Sequence, residues 1–365
     1  MINIDKIMKT AIENNASDIH LVCDRKPSIR VARVLKELEY EDILTEADMF
    51  EIYEYFIRGN VEKDSEYQRS KQIDFSLQYG EVRFRGNISS ADDVPVLTLR
   101  IIKNELPRFE ELGVPDIVRR MMYQPQGLIL VTGKTNSGKT TTLNALINEV
   151  NENEPKKILT LEKPIEFKHK SKKSLIVQKE VGIGKDTLTF RDGVKNSLRE
   201  DCDILVIGEI RDKETMEAAI DMAESGHLVL GTLHTKSCAE TIDRIINFYE
   251  IRDQASVKYL ISSLLKLVVS QRLLKGLENN LVLLPEIMVV DNVVASCIRK
   301  EKFSVSELED AIQSSLGKGN VSLINSLAEL YVANKISLEQ AKSQIEEKNI
   351  EVLNRTIMQM KMKKM

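Results

Sequence analysis

Gly133-Lys134-Thr135-Asn136-Ser137-Gly138-Lys139-Thr140 decides the fold. It satisfies GxxxxGK[ST] without a mismatch, and both flanks are right: the apolar run Leu128–Thr132 precedes it and a helical run, Leu143–Val150, follows. The glycines let the backbone close around phosphate oxygens, and successive N–H groups plus a helix N-terminus attract the anion. Gly133, Thr135, Ser137, Gly138, Lys139, Thr140 and Thr141 form the candidate ATP-binding set. Lys139 is placed to reach the β- and γ-phosphates, and Thr141 to add a phosphate hydrogen bond. The Thr140 hydroxyl suits Mg²⁺, which prefers hard oxygen ligands. Lys134 reads equally well as a nucleotide contact or as an exposed lysine beside the mouth.

Outward from the loop, Lys157–Leu161, Ile204–Ile207 and His227–Leu233 are further near-continuous apolar runs, as in parallel strands buried on both faces. Glu214–Ala223, Glu240–Phe248 and Tyr259–Leu274 read as helices. The alternation predicts a doubly wound α/β sheet, whose ligands gather at the carboxyl ends of the strands. Glu209 ends the run from Asp203 and is the candidate to hold Mg²⁺ through water or to polarise an attacking water. Asp212 suits the helix-capping role better. Glu162 and Glu166 flank Pro164 at the same edge, where a water-orienting carboxylate and a solvated acidic loop fit the spacing equally. His234 closes the last run and is either a γ-phosphate sensor or a hydrogen-bonded structural histidine. His20 and His169 lack ligand spacing, so no metal-binding cluster is expected.

The first hundred residues read as a smaller α/β unit. Ile4, Ile7, Met8 and Ile12 share one helical face, Asp18–Leu21 and Ile29–Leu35 read as strands, and Asp48–Arg58 as an amphipathic helix. Ile73–Leu77 and Glu81–Asn87 alternate as strands around Gly80, and Val96–Ile102 is another. Pro107, Gly113, Pro115 and Pro125 then break the pattern. The expected division is 1–103, a linker over 104–116, an α/β unit over 117–290, and a helical region over 291–365 whose Met-rich basic end is expected to fray.

The net charge of −4 and 5% aromatic content disfavour a nucleic-acid track, which needs basic grooves and stacking rings. The four cysteines, Cys23, Cys202, Cys238 and Cys297, form no CxxC pair, and a reducing compartment is the simpler expectation. Lys266, Gln271 and Arg272 interrupt the longest apolar run, so any membrane association is expected to be peripheral.

The ordered set of motifs resembles the type IV pilus retraction ATPases, the PilT family. Ala16-Ser17-Asp18-Ile19-His20-Leu21, Asp74-Phe75-Ser76 and Arg83-Phe84-Arg85-Gly86-Asn87 are similar to its N-terminal motifs. Gly133–Thr140 is similar to its Walker A loop, Leu161–Phe167 to its Asp box, Leu198–Asp212 to its Walker B region and Gly226–Thr235 to its His box. The resemblance implies an N-terminal PAS-like domain, then a RecA-like P-loop ATPase domain with a helical C-terminal extension. It implies a homohexamer using ATP and Mg²⁺, cytoplasmic and peripheral at the inner face of the cell membrane. Its implied partner is an inner-membrane pilus platform protein, with no nucleic acid. It casts Glu166 as the water-activating residue, Glu209 as the Walker B acid, His234 as a γ-phosphate sensor, and Arg83, Arg85 and Arg100 as candidate arginine sensors.

Three departures stand out. Lys163 replaces the aspartate that names the Asp box, Cys202 stands where proline is usual, and Ala295–Glu301 is a degenerate form of the retraction motif. Ser322–Leu327 and the run after it do resemble the family's C-terminal end. The related alternatives are a pilus-extension or type II secretion ATPase; the distant ones are a nucleic-acid translocase and a low-turnover regulatory nucleotide-binding ring.

Overall fold

In the computed structural model, described for residues 2–31, 34–57, 59–80, 82–102, 107–278, 280–315 and 319–364, the chain forms two compact units. The first contains the N-terminal residues to 106 together with Lys163–Lys168 and Glu180–Leu188; the second contains the remainder. The expected boundary at Asn104 lies outside the described residues.

The first unit is built on a six-stranded antiparallel sheet. Its elements are α1 (Ile4–Glu13), β1 (Asp18–Leu21), β2 (Ser28–Val31), β3 (Val34–Glu37), α2 (Glu46–Ile57), α3 (Val61–Ser70), β4 (Gln72–Tyr79), β5 (Val82–Ala91) and β6 (Val94–Ile102). The strand order is β3-β2-β1-β6-β5-β4. Ile7, Met8 and Ala11 of α1, Met49 and Ile52 of α2, and Ile19, Phe84, Ile88, Leu97 and Leu99 of the sheet make one apolar core. The expected single strand over Ile29–Leu35 is a hairpin, with Val31 pairing Val34. Helix α3 was not anticipated: its mean composition is polar and only Tyr67 is buried, so its sequence carries no apolar stripe.

The second unit is a seven-stranded sheet flanked by helices. Its first elements are α4 (Asp116–Met121), β7 (Gly127–Thr132), α5 (Lys139–Asn153), β8 (Lys157–Glu162), β9 (Leu175–Glu180), α6 (Phe190–Ser197) and β10 (Ile204–Ile207). They are followed by α7 (Lys213–Glu224), β11 (Leu228–Leu233), α8 (Cys238–Ile246), α9 (Ile251–Leu264), β12 (Leu265–Lys275) and β13 (Leu281–Val289). The order is β13-β12-β7-β11-β10-β8-β9. Strands β12, β7, β11, β10 and β8 run parallel, and β13 closes the edge antiparallel to β12. Every residue of β7, β10 and β11 is buried, as expected for strands covered on both faces.

The expected helix over Tyr259–Leu274 is corrected: α9 stops at Leu264 and the chain continues as β12. Val268 and Val269 favour a pleated strand, and the run pairs with β7 on one side and β13 on the other. Phe109 and Val114, in the stretch read as linker, are buried in this unit's core.

The C-terminal helices are α10 (Asn292–Arg299), α11 (Val305–Ser314), α12 (Leu323–Val332), α13 (Leu338–Ser343) and α14 (Ile350–Lys364). Leu327, Ile336, Ala341, Leu353 and Ile357 gather with Leu284 of β13 in a core of their own. The end expected to fray is therefore helical to Lys364, because Leu353 and Ile357 anchor it.

Candidate active site

Strand β7 delivers the chain into the loop at Gly133, where only glycine fits. Its φ is +144°, and a Cβ there would lie 2.4 Å from the Gln271 carbonyl oxygen and 2.4 Å from Ser137 Oγ. Gly138, at φ +89°, opens α5 with no side chain capping the helix. The first N–H groups of α5 are thus left for a ligand. The Ser137 hydroxyl is buried without a hydrogen-bond partner, which a phosphate oxygen would supply. Lys139 is buried, its Nζ donating to the carbonyls of Gly133 at 2.8 Å and Lys134 at 3.0 Å. Uncapped amides, an orphaned hydroxyl and a buried ammonium together fit a polyphosphate. Thr140 and Thr141 follow in the first turn of α5, half-buried, and Thr135 is exposed on the loop.

Glu209 stands just past the end of β10, two strands from β7. The amide of Ile210 donates to the Thr232 carbonyl at 2.9 Å, tying this turn to β11. His234 leaves the end of β11, the intervening strand. Its Nε2 lies 2.9 Å from Glu209 Oε1, and its Nδ1 lies 3.5 Å from Lys139 Nζ. An imidazole carrying its proton on Nε2 satisfies both contacts. Arg211 Nε lies 2.5 Å from the same Glu209 oxygen. Burial pushes the Glu209 carboxyl up, but the hydrogen bond and charge of Arg211, with the hydrogen bond of His234, outweigh it and hold the group below its usual range. Glu209 therefore stays ionised throughout the neutral range. Asp212 caps α7 by accepting from the Thr215 amide, as its position predicts.

The structure thus brings the Gly133–Thr141 loop, Glu209 and His234 together in the second unit. Glu166 lies instead on Lys163–Lys168, within the first unit, half-buried. Glu162 is no solvated loop acid: it is buried at the end of β8 and accepts from Thr160 Oγ1 at 2.7 Å and Gln178 Nε2 at 3.0 Å. Lys163 is exposed and, with Asp74, Arg85 and Lys185, lines a cavity of about 340 Å³ in the first unit.

The three arginines of the first unit are not equivalent. Arg83 is buried and 2.6 Å from Glu180, which Lys185 also contacts at 2.5 Å. Arg100 and Arg85 are directly opposite one another across β6 and β5, and Asp18 is opposite Arg100 on the other side. Asp18 Oδ1 accepts from Arg100 Nε at 2.9 Å, and Asp74 lies 3.9 Å from Arg85. Two like charges directly opposite in a sheet are unfavourable, and here Asp18 and Asp74 offset them. Removing Arg83 leaves the buried Glu180 with Lys185 and the Ser76 hydroxyl, and Arg83→Ala should destabilise the protein by about 3 kcal/mol. Arg85→Ala should leave the melting temperature nearly unchanged, and Arg100→Ala should lower it less than Arg83→Ala does, because Ser17 still donates to the buried Asp18; both should lower ATP turnover. Calorimetry beside an ATPase assay checks both; a melting loss shared equally by all three would remove the distinction.

Sequence reasoning missed Arg211, Gln271 and Arg244. Gln271 on β12 donates to Thr142 Oγ1 at 2.8 Å behind the loop. Arg211, His234 and Arg244 line a cavity of about 470 Å³, and Lys134, Thr135, Ser137 and Arg272 line another of about 380 Å³. Arg211 is two residues from Glu209 and could have been found by its side-chain charge. Gln271 gives no local signal, because a strand far along the chain brings it there.

The family model described as Type II/IV secretion system protein matches residues 1–361. The chain is 36% identical over 341 residues to the type IV pilus retractation ATPase PilT of Pseudomonas aeruginosa, covering 93% of this chain and 97% of that protein. It is 40% identical over 278 residues to a twitching motility protein of Neisseria gonorrhoeae, covering 76% of this chain and 73% of that one. The crystal structure of the pilus retraction motor PilT with bound ADP superposes with a TM-score of 0.87 at 35% identity, covering 96% of this chain and 99% of that one.

Proposed function

This chain belongs to the Type II/IV secretion system protein family, and on that premise we propose that it is a motor ATPase coupling ATP hydrolysis to type IV pilus retraction. The observation that carries the proposal is the line Lys139–His234–Glu209–Arg211 at the mouth of an uncapped phosphate loop. It joins the group that would hold the γ-phosphate to a carboxylate kept ionised.

In this reading the amides of the loop, Ser137 and Thr141 hold the phosphates, and Lys139 exchanges its loop carbonyls for phosphate oxygens. His234, held between Lys139 and Glu209, registers whether the terminal phosphate is present. Mg²⁺, when bound with the nucleotide, would neutralise charge on the phosphates; the Thr140 hydroxyl and, through water, the Glu209 carboxylate are the groups suited to hold it. Glu166 is the proposed water-activating carboxylate. Arg85 and Arg100 are the proposed arginine sensors, supported by their facing positions across the sheet with exposed side chains; the commitment of Arg83 to Glu180 argues for a structural part. The working form is a homohexamer in the cytoplasm, acting on an inner-membrane platform protein.

The purified protein should show Mg²⁺-dependent ATPase activity from a hexamer, measured by light scattering in the assay buffer, with no stimulation by single-stranded DNA. Deleting it from piliated cells should leave surplus, static pili. Loss of pili would overturn retraction in favour of extension, and a monomer that binds ATP without turnover would overturn the motor reading.

A further inference from the structure

The last helix ends in a run of bases without acids. From Val352 to the end the sequence contains Arg355, Lys361, Lys363 and Lys364 and no acid, in a protein whose net charge is −4. The same stretch contains no aromatic residue; the last is Tyr331. Helix α14 buries Leu353 and Ile357 against the C-terminal core, with Met360 packed beside them. On its opposite side Met358 and Met362, four residues apart and therefore on one face, are 69% and 76% exposed. Lys361 leans over the Tyr331 ring with its ammonium 5.1 Å from the ring centre. Arg355 lies 3.9 Å from Glu351, the only acid of the helix.

We propose that the exposed methionine face and basic end of α14 make a direct contact with an anionic membrane surface. The charge is complementary to acidic headgroups, and each lysine near such a surface adds to the attraction. The exposed thioether side chains of Met358 and Met362 are the apolar part that enters the headgroup boundary, and the basic end of the helix supplies the attraction. The inner face is already used by Leu353 and Ile357, so the helix docks without unfolding the C-terminal core. Nucleic acid is the less suitable occupant, because a single strand needs rings on which to stack and the segment has none. This contact is additional to the platform protein of the proposed function and does not depend on it.

Co-sedimentation of the full chain with vesicles tests it. Binding to vesicles of equal parts phosphatidylglycerol and phosphatidylcholine should exceed binding to pure phosphatidylcholine by at least about tenfold and fall as salt is raised. The combined change Lys361→Glu, Lys363→Glu, Lys364→Glu should bring it down to the phosphatidylcholine level, and Met358→Ser with Met362→Ser should weaken it severalfold. Both variants should keep the vesicle-free ATPase rate, which shows that they fold. Equal binding of the wild type to the two vesicles overturns the proposal, as does undiminished binding of the charge-reversed variant. Lysine-dependent binding to a single-stranded oligonucleotide without vesicle binding overturns it in favour of nucleic acid.

Discussion

Lys139→Ala should lower ATP turnover by at least about 10³-fold, the largest loss expected from a single change in this protein. The lysine is buried, and its ammonium is held by the carbonyls of Gly133 and Lys134, within 3.5 Å of His234 Nδ1. It is the one side-chain cation hydrogen-bonded within the loop among the described residues, so no neighbour takes over its charge. Alanine also leaves the two carbonyls pointing inward at an anion, which reverses the local field. Binding should therefore weaken together with turnover. Titration calorimetry with ATP and a coupled ATPase assay separate the two, with circular dichroism to show that the fold survives. Wild-type turnover in this variant would remove the loop from the reaction.

The loop could be read from eight residues because everything that defines it is local. The strand before it, the glycines within it and the helix after it are contiguous, and the physical demand of phosphate binding falls on backbone amides. The same holds for the Asp212 cap and for Glu209 at the end of an apolar strand. Where the outcome depended on distant partners, the reading was weaker. Leu265–Ser270 has no period that distinguishes a buried strand from a buried helix, and it is a strand because β7 and β13 flank it. Leu175–Glu180 is hard to place from sequence, since most of β9 is only half-buried at the sheet's edge.

The charged residues divide in the same way. Alternation along β5 gave the side on which Arg83 and Arg85 project, but not their different fates. Glu180, which fixes Arg83, is 97 residues away in sequence. The opposition of Arg85 and Arg100 follows only from the register of β5 on β6. Glu162 and Glu166 look alike in sequence, four residues apart around a proline. Gln178 and Thr160 bury the first, and the second falls in the other compact unit. Spacing alone could not have divided them.

Glu209→Gln should separate binding from hydrolysis, where Lys139→Ala removes both. The amide keeps the volume of the carboxylate, so the end of β10 and the Ile210–Thr232 hydrogen bond remain. What is lost is the charge paired with Arg211 and its strongest hydrogen bonds with Arg211 and His234. The loop does not depend on that charge, so ATP should still bind. Hydrolysis should fall by about 10²–10³-fold, as when one preorganised electrostatic group is removed from a reacting centre. Bound ATP should then persist through many wild-type turnover times. A single-turnover experiment, following bound ATP and released phosphate together, checks this. The carboxylate is held below its ordinary range, so it gains a proton only in acid; wild-type activity should not titrate through Glu209 near neutral pH. If the variant hydrolyses ATP at the wild-type rate, the carboxylate facing His234 is a structural tether, and the weight of the chemistry shifts to Glu166.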